Sequence, residues 1–289
     1  MPSLEQLRIR HPELRPDYTI DQHWECYGAD EHGVWQTLFQ RQAAILPGRA
    51  CDEFLAGLKK LNLVSDRIPD FERLSDGLEK LTGWRVVAVP SLVPDDIFFD
   101  HLANRRFPAG QFIRARNQLD YLEEPDVFHD VFGHVPMLAH PVFADYMQAY
   151  GRGGQRALNE FHALKNLARL YWYTVEFGLI KKPEGLRIYG SGIVSSRTES
   201  IYAVESPSPN RIGFDLERVM RTEYRIDDFQ ESYFVIDSFD ALFQETYKDF
   251  APIYAKLAAG PTYKPGDILP TDRVHTRGTH SYVGGSHAA

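Results

Sequence analysis

Cysteine is scarce in this chain: Cys26 and Cys51 are the only two in 289 residues. They form no Cys-x-x-Cys pair, which excludes a thioredoxin-type redox motif and a cysteine-rich zinc module. The first residues, Met1-Pro-Ser-Leu-Glu-Gln-Leu-Arg, lack a basic stretch followed by an apolar one. No secretory leader is read there, so both thiols are expected free in a reducing, cytoplasmic setting. Long apolar runs are also missing. The longest, Val86 to Val89 and Val131 to Ala139, are short or broken by Gly, His and Pro. Neither approaches the roughly 18 residues of a membrane helix. Basic runs are absent too. Thirty-two Lys and Arg against 40 Asp and Glu leave a formal charge of −8. That balance excludes general electrostatic binding of nucleic acid and attraction to an anionic membrane. No Gly-x-Gly-x-x-Gly, His-Glu-x-x-His or Gly-x-Ser-x-Gly occurs, so the simplest dinucleotide, zinc-protease and serine-hydrolase signatures are missing.

What the chain does hold is apolar and aromatic mass. Hydrophobic residues make up 43%, with 18 Phe and 15 Tyr, enough for a large packed core. Residues 1–30 carry Pro2, Pro12 and Pro16 and read as an extended arm. Helical spacing of apolar residues follows over 31–46 (Val34, Leu38, Phe39), 52–63 (Phe54, Leu55, Leu58) and 70–82 (Phe71, Leu74, Leu78), the last ending at Gly83. The β-branched stretch from Trp84 to Pro94 reads as a short strand or extended loop. A helix is expected over 95–103, a short strand over 110–115, and a helix from Pro125 to Phe132 with Pro125 at its first position. A long amphipathic helix is expected over 158–180, a loop at Gly190 and Gly192, a strand over 229–237 and a last helix over 239–257. Beyond 258 no periodicity is left, so 259–289 reads as a loose tail. The sum is an α+β chain, mostly helical with a few short strands. It is expected as an arm (1–20), a single catalytic domain (21–258) and that tail.

The segment richest in chemistry is Glu124-Pro-Asp-Val-Phe-His129-Asp-Val-Phe-Gly-His134-Val-Pro. It sets two imidazoles five residues apart among apolar neighbours. On a regular α-helix five steps leave the two side chains roughly 140° apart, so such a helix does not aim both at one point. Gly133 and Pro136 offer a break that would let them converge. A second signal is Glu176 in Leu170-Tyr-Trp-Tyr-Thr-Val-Glu176-Phe-Gly-Leu, one carboxylate among uncharged, mostly apolar or aromatic neighbours. A buried carboxylate needs a cation, a hydrogen-bond network or a raised pKa, and a metal would satisfy it. Two imidazoles and one carboxylate form the facial triad of non-haem Fe(II) oxygenases, and they also describe some hydrolytic zinc sites. Ligand type alone does not choose between them.

At this point several motifs converge. Val87-Ala-Val-Pro with Ile97-Phe-Phe, Leu102-Ala-Asn-Arg-Arg-Phe, Asp120-Tyr-Leu-Glu-Glu-Pro-Asp, His129-Asp-Val-Phe-Gly-His134, Tyr171-Trp-Tyr-Thr-Val-Glu176, Tyr189-Gly-Ser-Gly and Pro209-Asn-Arg stand in order along the chain. From about Asp21 to Pro252 the sequence resembles the tetrahydropterin-dependent aromatic amino acid hydroxylases, most closely their bacterial phenylalanine-hydroxylating members. The resemblance implies His129, His134 and Glu176 as catalytic iron ligands. It implies Arg114 on the substrate's α-carboxylate, Trp172 and Phe177 as walls of the substrate ring, and Ser195 as a nearby polar contact. It implies Phe98 against the pterin, and the Val89, Ser91, Val93 and Asp95 loop at the pterin edge, where Ser91 takes the place of an expected glycine. The cofactors implied are Fe(II) and tetrahydrobiopterin or a related tetrahydropterin, with O₂ as co-substrate. The implied reaction is conversion of L-phenylalanine to L-tyrosine. Rival readings are hydroxylation of tryptophan or another ring position, or a zinc hydrolase on the same three ligands. Larger relatives carry a regulatory domain and a tetramerising helix. The tail here shows no heptads, so a monomer is expected.

Overall fold

The computed structural model describes residues 4–120 and 124–282. Residues 121–123, inside the Asp120 to Asp126 motif, and residues 283–289 of the expected tail lie outside the described part. The chain forms two compact units. The first combines the described residues up to Ala44 with Asp52–Gln155; the second combines Ile45–Cys51 with the described residues from Arg156 onward.

The first unit is built largely from helices Ala29–Ile45, Asp52–Lys60, Phe71–Thr82, Asp95–Ala103 and Pro141–Arg156. The sequence explains their ends. Asp70 caps Phe71–Thr82 by accepting from the backbone N–H groups of Glu72 and Arg73, and Gly83, at φ 75°, closes its last turn. Strand β1 (Arg85–Val89) and strand β2 (Arg106–Gly110) pair in parallel, Arg85 opposite Arg106 and Val89 opposite Gly110, with Asp95–Ala103 as their crossover. The strand expected over 110–115 therefore lies earlier. The strand ends at Gly110, whose N–H is taken by the Asp130 carboxylate at 2.7 Å, and the Gln111 N–H donates to the Val89 carbonyl of β1 at 3.1 Å. The arm is not wholly extended, because Leu4–Arg10 is helical. Further along it, the Ile20 N–H donates to the Ala88 carbonyl of β1.

The expected Pro125 to Phe132 helix starts later. Phe128–His134 is wound as a π-helix and runs into the α-helical turn Val135–Leu138. An aromatic cluster holds this element. Phe128 stacks on Phe132 (4.8 Å, 13°), Trp35 meets Phe128 edge-on at 5.3 Å, and Phe54 meets Phe132 at 5.8 Å. Gly57 lets Asp52–Lys60 approach, since a Cβ there would lie 2.0 Å from the Pro136 carbonyl oxygen.

The second unit centres on a five-stranded sheet of β3 (Leu179–Lys182), β4 (Gly185–Ile188), β5 (Asn210–Gly213), β6 (Ser232–Ile236) and β7 (Val274–Thr276). Their order is β4-β3-β6-β5-β7. β3 and β4 form an antiparallel hairpin, β6 runs parallel to β3 and β5, and β7 is antiparallel to β5. β7 corrects the reading of a loose tail. This part of it is also held by the buried Arg218–Asp272 ion pair (2.9 Å) and by Gly213 N–H donating to Arg273.

The long helix expected over 158–180 is broken into Ala157–Phe161, Leu164–Tyr171 and Trp172–Glu176. His162, at φ 51°, interrupts it, and β3 claims its last residues. The last helix is likewise two, Phe239–Thr246 and Phe250–Ala259, because Asp249 caps a new start through the Ala251 N–H. The loop expected at Gly190 and Gly192 contains the helical turn Ser191–Val194. The strand expected over 229–237 is β6, and the mostly helical α+β class holds.

Candidate metal centre and substrate pocket

His129 and His134 both belong to the π-helical stretch. A π-helix bonds i to i+5, so residues five apart stand one turn above one another. The expected break is therefore a change of winding, and it brings the rings together. Their Nε2 atoms lie 3.3 Å apart, with the planes near perpendicular at 80°. His134 is 5% exposed and lies against the Phe107 ring at 4.9 Å. Two nitrogens bound to one metal at about 2.1 Å stand roughly 3.0–3.4 Å apart for octahedral and tetrahedral angles, so the pair fits a shared ion of either geometry.

Glu176 ends the π-helical turn Trp172–Glu176. Its Oε2 accepts from the Ser191 hydroxyl at 2.8 Å. Gly190 passes so close to Glu176 that a Cβ there would lie 2.4 Å from the Glu176 carbonyl oxygen. One ligand atom from each of His129, His134 and Glu176 lies within 4.8 Å of the others. Two imidazole nitrogens and a carboxylate oxygen are a donor set suited to one divalent ion.

Arg114 is held by Asp126, which is fully buried. The Nε and Nη2 groups donate to Oδ2 and Oδ1 at 2.8 and 2.9 Å, and the Arg114 backbone N–H donates to Oδ2 at 2.9 Å. Burial raises the Asp126 carboxyl. The Arg114 guanidinium and the backbone N–H groups of Arg114 and His129 outweigh it and hold the pKa below the usual carboxylate range. Asp126 Oδ1 also accepts the His129 N–H at 3.0 Å. Asp126 closes the Asp120-Tyr-Leu-Glu-Glu-Pro-Asp motif but has no role of its own in the sequence reading. Its place amid Pro125, Val127 and Phe128 was the available signal, because a carboxylate there must be paired.

Trp172 stacks on Tyr224 (4.3 Å, 15°), lies 4.7 Å from Phe177, and donates its Nε1–H to Gln230 Oε1 at 2.9 Å. Ser195 donates to the Ser191 carbonyl at 2.7 Å, a bond within its own turn. Phe98 is half-buried on Asp95–Ala103 and meets Phe99 edge-on at 5.8 Å. Val89 ends β1 and is buried, Val93 is half-buried and Asp95 exposed. The Ser91 hydroxyl is buried and finds no protein partner. Ser191 lies in the Tyr189-Gly-Ser-Gly motif but is assigned no role there, and Gln230 lies in none of the motifs, because Ser and Gln have many ordinary places in a loop.

The fold and this donor set define a chain able to hold one metal ion on two imidazoles and a carboxylate, the class that includes non-haem iron oxygenases. A family model described as biopterin-dependent aromatic amino acid hydroxylase matches residues 18–258. A phenylalanine-4-hydroxylase of Caulobacter vibrioides is 67% identical over 272 residues, covering 94% of this chain and 92% of that protein. The iron- and phenylalanine-bound structure of phenylalanine hydroxylase from Chromobacterium violaceum superposes with a TM-score of 0.88 at 55% identity, covering 94% of this chain and all of that one. A structure of the same enzyme with iron(III) and 7,8-dihydrobiopterin gives 0.88 at 56% identity, covering 95% of this chain and 99% of that one. The chain belongs to the biopterin-dependent aromatic amino acid hydroxylases. Within that family it is a pterin-dependent iron monooxygenase.

Proposed function

We infer that the chain converts L-phenylalanine to L-tyrosine, using O₂ and a tetrahydropterin at one Fe(II) held by His129, His134 and Glu176. The observation that carries the reading is the gathering of those three ligand atoms within 4.8 Å in a member of this family. When bound, iron and reduced pterin supply the electrons and the O₂ cleavage that place one oxygen atom on the ring. The protein's part is to bind and orient. Asp126 occupies the Nε/Nη2 edge of Arg114, and the Nη1/Nη2 edge, where Nη1 makes a long 3.5 Å bond to the Leu119 carbonyl, is offered to the substrate carboxylate. Trp172 and Phe177 offer ring faces to an aromatic side chain, which packs by area and by edge-to-face contact. Ser195 supplies a polar contact nearby. Phe98 offers a ring face to the pterin. The Val89 to Asp95 segment, including Ser91 and Val93, offers backbone groups to its edge. The buried, unpartnered Ser91 hydroxyl supports a polar ligand at that loop.

The chain acts as a cytoplasmic monomer on a small molecule, without nucleic acid or membrane. Among the described residues no helix is long and apolar enough to cross a bilayer. Cys26 is exposed, and an exposed thiol fits a reducing setting. Anaerobic Fe(II) loading, followed by reduced pterin, phenylalanine and air, should yield tyrosine with matching pterin oxidation. Zinc-dependent hydrolysis without O₂ uptake would sink the reading, and elution as a tetramer from a sizing column would sink the monomer.

A further inference from the structure

Trp172 is anchored by residues that lie in none of the motifs. Tyr224 fixes the tilt of the indole by stacking, but a stacked ring can still turn in its own plane. The Nε1–H bond to Gln230 Oε1 stops that turn. Gln230 is 2% exposed, and its amide has one workable orientation. Its Nε2 donates to the carbonyls of Arg225 (2.9 Å) and Asp228 (3.4 Å), so the oxygen is the end left for the indole. Gln230 is itself pinned, because those two Nε2 bonds tie its side chain to the backbone at Arg225 and Asp228. A buried amide satisfied at both ends holds its acceptor in place for the indole.

We propose that Gln230 is a specificity-determining positioning residue: it sets the in-plane orientation of Trp172 and thereby the shape of the slot that Trp172 and Phe177 offer to the substrate ring. The proposal rests on the reading of Trp172 as a substrate wall, and the experiment separates the two. Q230M keeps the volume, removes the acceptor for the indole and also removes the two Nε2 bonds to the Arg225 and Asp228 carbonyls. Q230M, W172F and the double variant are compared, with iron content measured alongside. Q230M should raise KM for phenylalanine about tenfold, the loss of the buried indole hydrogen bond, with a much smaller change in kcat, while the two lost Nε2 bonds should lower stability alike in both backgrounds. It should also oxidise more pterin per tyrosine formed. In the W172F background the same change should add nothing to KM, because the indole N–H is gone.

An unchanged KM in Q230M, or an equal rise in both backgrounds, overturns the proposal. A kinetically silent W172F removes the substrate-wall reading and this proposal with it. An altered W172F with a silent Q230M removes the proposal alone. Should Q230M not fold, Q230E retains an acceptor: KM within about twofold of the parent supports the mechanism, and a tenfold rise overturns it.

Discussion

Asp126 grips Arg114 by one edge of the guanidinium, through Nε and Nη2 at 2.8 and 2.9 Å, and with Oδ1 also accepts the His129 backbone N–H. One buried carboxylate thus orients a cation suited to a substrate carboxylate and a backbone that carries an imidazole. Neither role can be lost alone.

Asp126→Asn should accordingly affect both. It leaves the Arg114 charge unpaired in a site where that side chain is 10% exposed, a loss of about 3–5 kcal/mol in stability. KM for phenylalanine should rise, and metal should bind more weakly. The sign for pH follows from the lowered Asp126 pKa: its stabilisation is present above the ordinary carboxylate range and is lost as pH falls through the folded value. Urea titrations at pH 7 and in acid should show the gap between parent and variant closing. A variant with parental stability and KM would contradict this account.

Ser191 and Glu176 should give a graded pair. Glu176→Ala removes an anionic ligand and should abolish most metal binding and turnover. Ser191→Ala removes only the hydroxyl that steadies Oε2 at 2.8 Å, so metal affinity or activity should fall about 10–100-fold. Calorimetric titration with Fe(II) or Co(II) checks both. Parental affinity in Glu176→Ala would remove that residue from the centre.

Gly190→Ala tests packing against the same residue. The added methyl would sit 2.4 Å from the Glu176 carbonyl oxygen and 2.5 Å from the Gly178 nitrogen, both backbone atoms that cannot swing away. A stability loss of about 1–3 kcal/mol is expected, together with weaker metal binding as Glu176 shifts. A variant that loses stability but keeps full metal affinity would show that the turn moves without Glu176.

Glu199 should leave a signature in stability against pH. Burial pushes its carboxyl up to about 7, and Asp228 adds to the rise; the hydrogen bonds from Tyr233 and the Gln230 backbone oppose it. Tyr202 is a further titratable neighbour. The folded chain therefore holds a proton that the unfolded chain releases near 4.5. Stability falls as pH rises from that value through 7, by about 3 kcal/mol when complete. Glu199→Gln cannot ionise and should lack this slope. Denaturant titrations at pH 5 and pH 8 that fall in parallel for both proteins would contradict the assignment.

Much of the chemistry was legible before any coordinates. An isolated carboxylate in an apolar run, at Glu176, and two imidazoles in another, at His129 and His134, point toward a metal, and it is the resemblance carried by the surrounding motifs that implies the three as one ligand set. Helix ends were legible wherever a local group makes them, as at Asp70 and Gly83. The breaks at His162 and Asp249 were not, because apolar spacing runs through both, and neighbouring structure decides where a helix stops.

Composition and residue type thus determined the class of chain and the atoms available for chemistry. Tertiary packing alone decided that the 128–134 segment winds as a π-helix, that Asp126 occupies one edge of Arg114, and that Gln230 and Ser191 stand behind Trp172 and Glu176. The physical reason is range. Spacing reports turns a few residues long, whereas the partners of Trp172, 58 residues on, and of Glu176, 15 residues on, are chosen by how the sheet and its helices close around them.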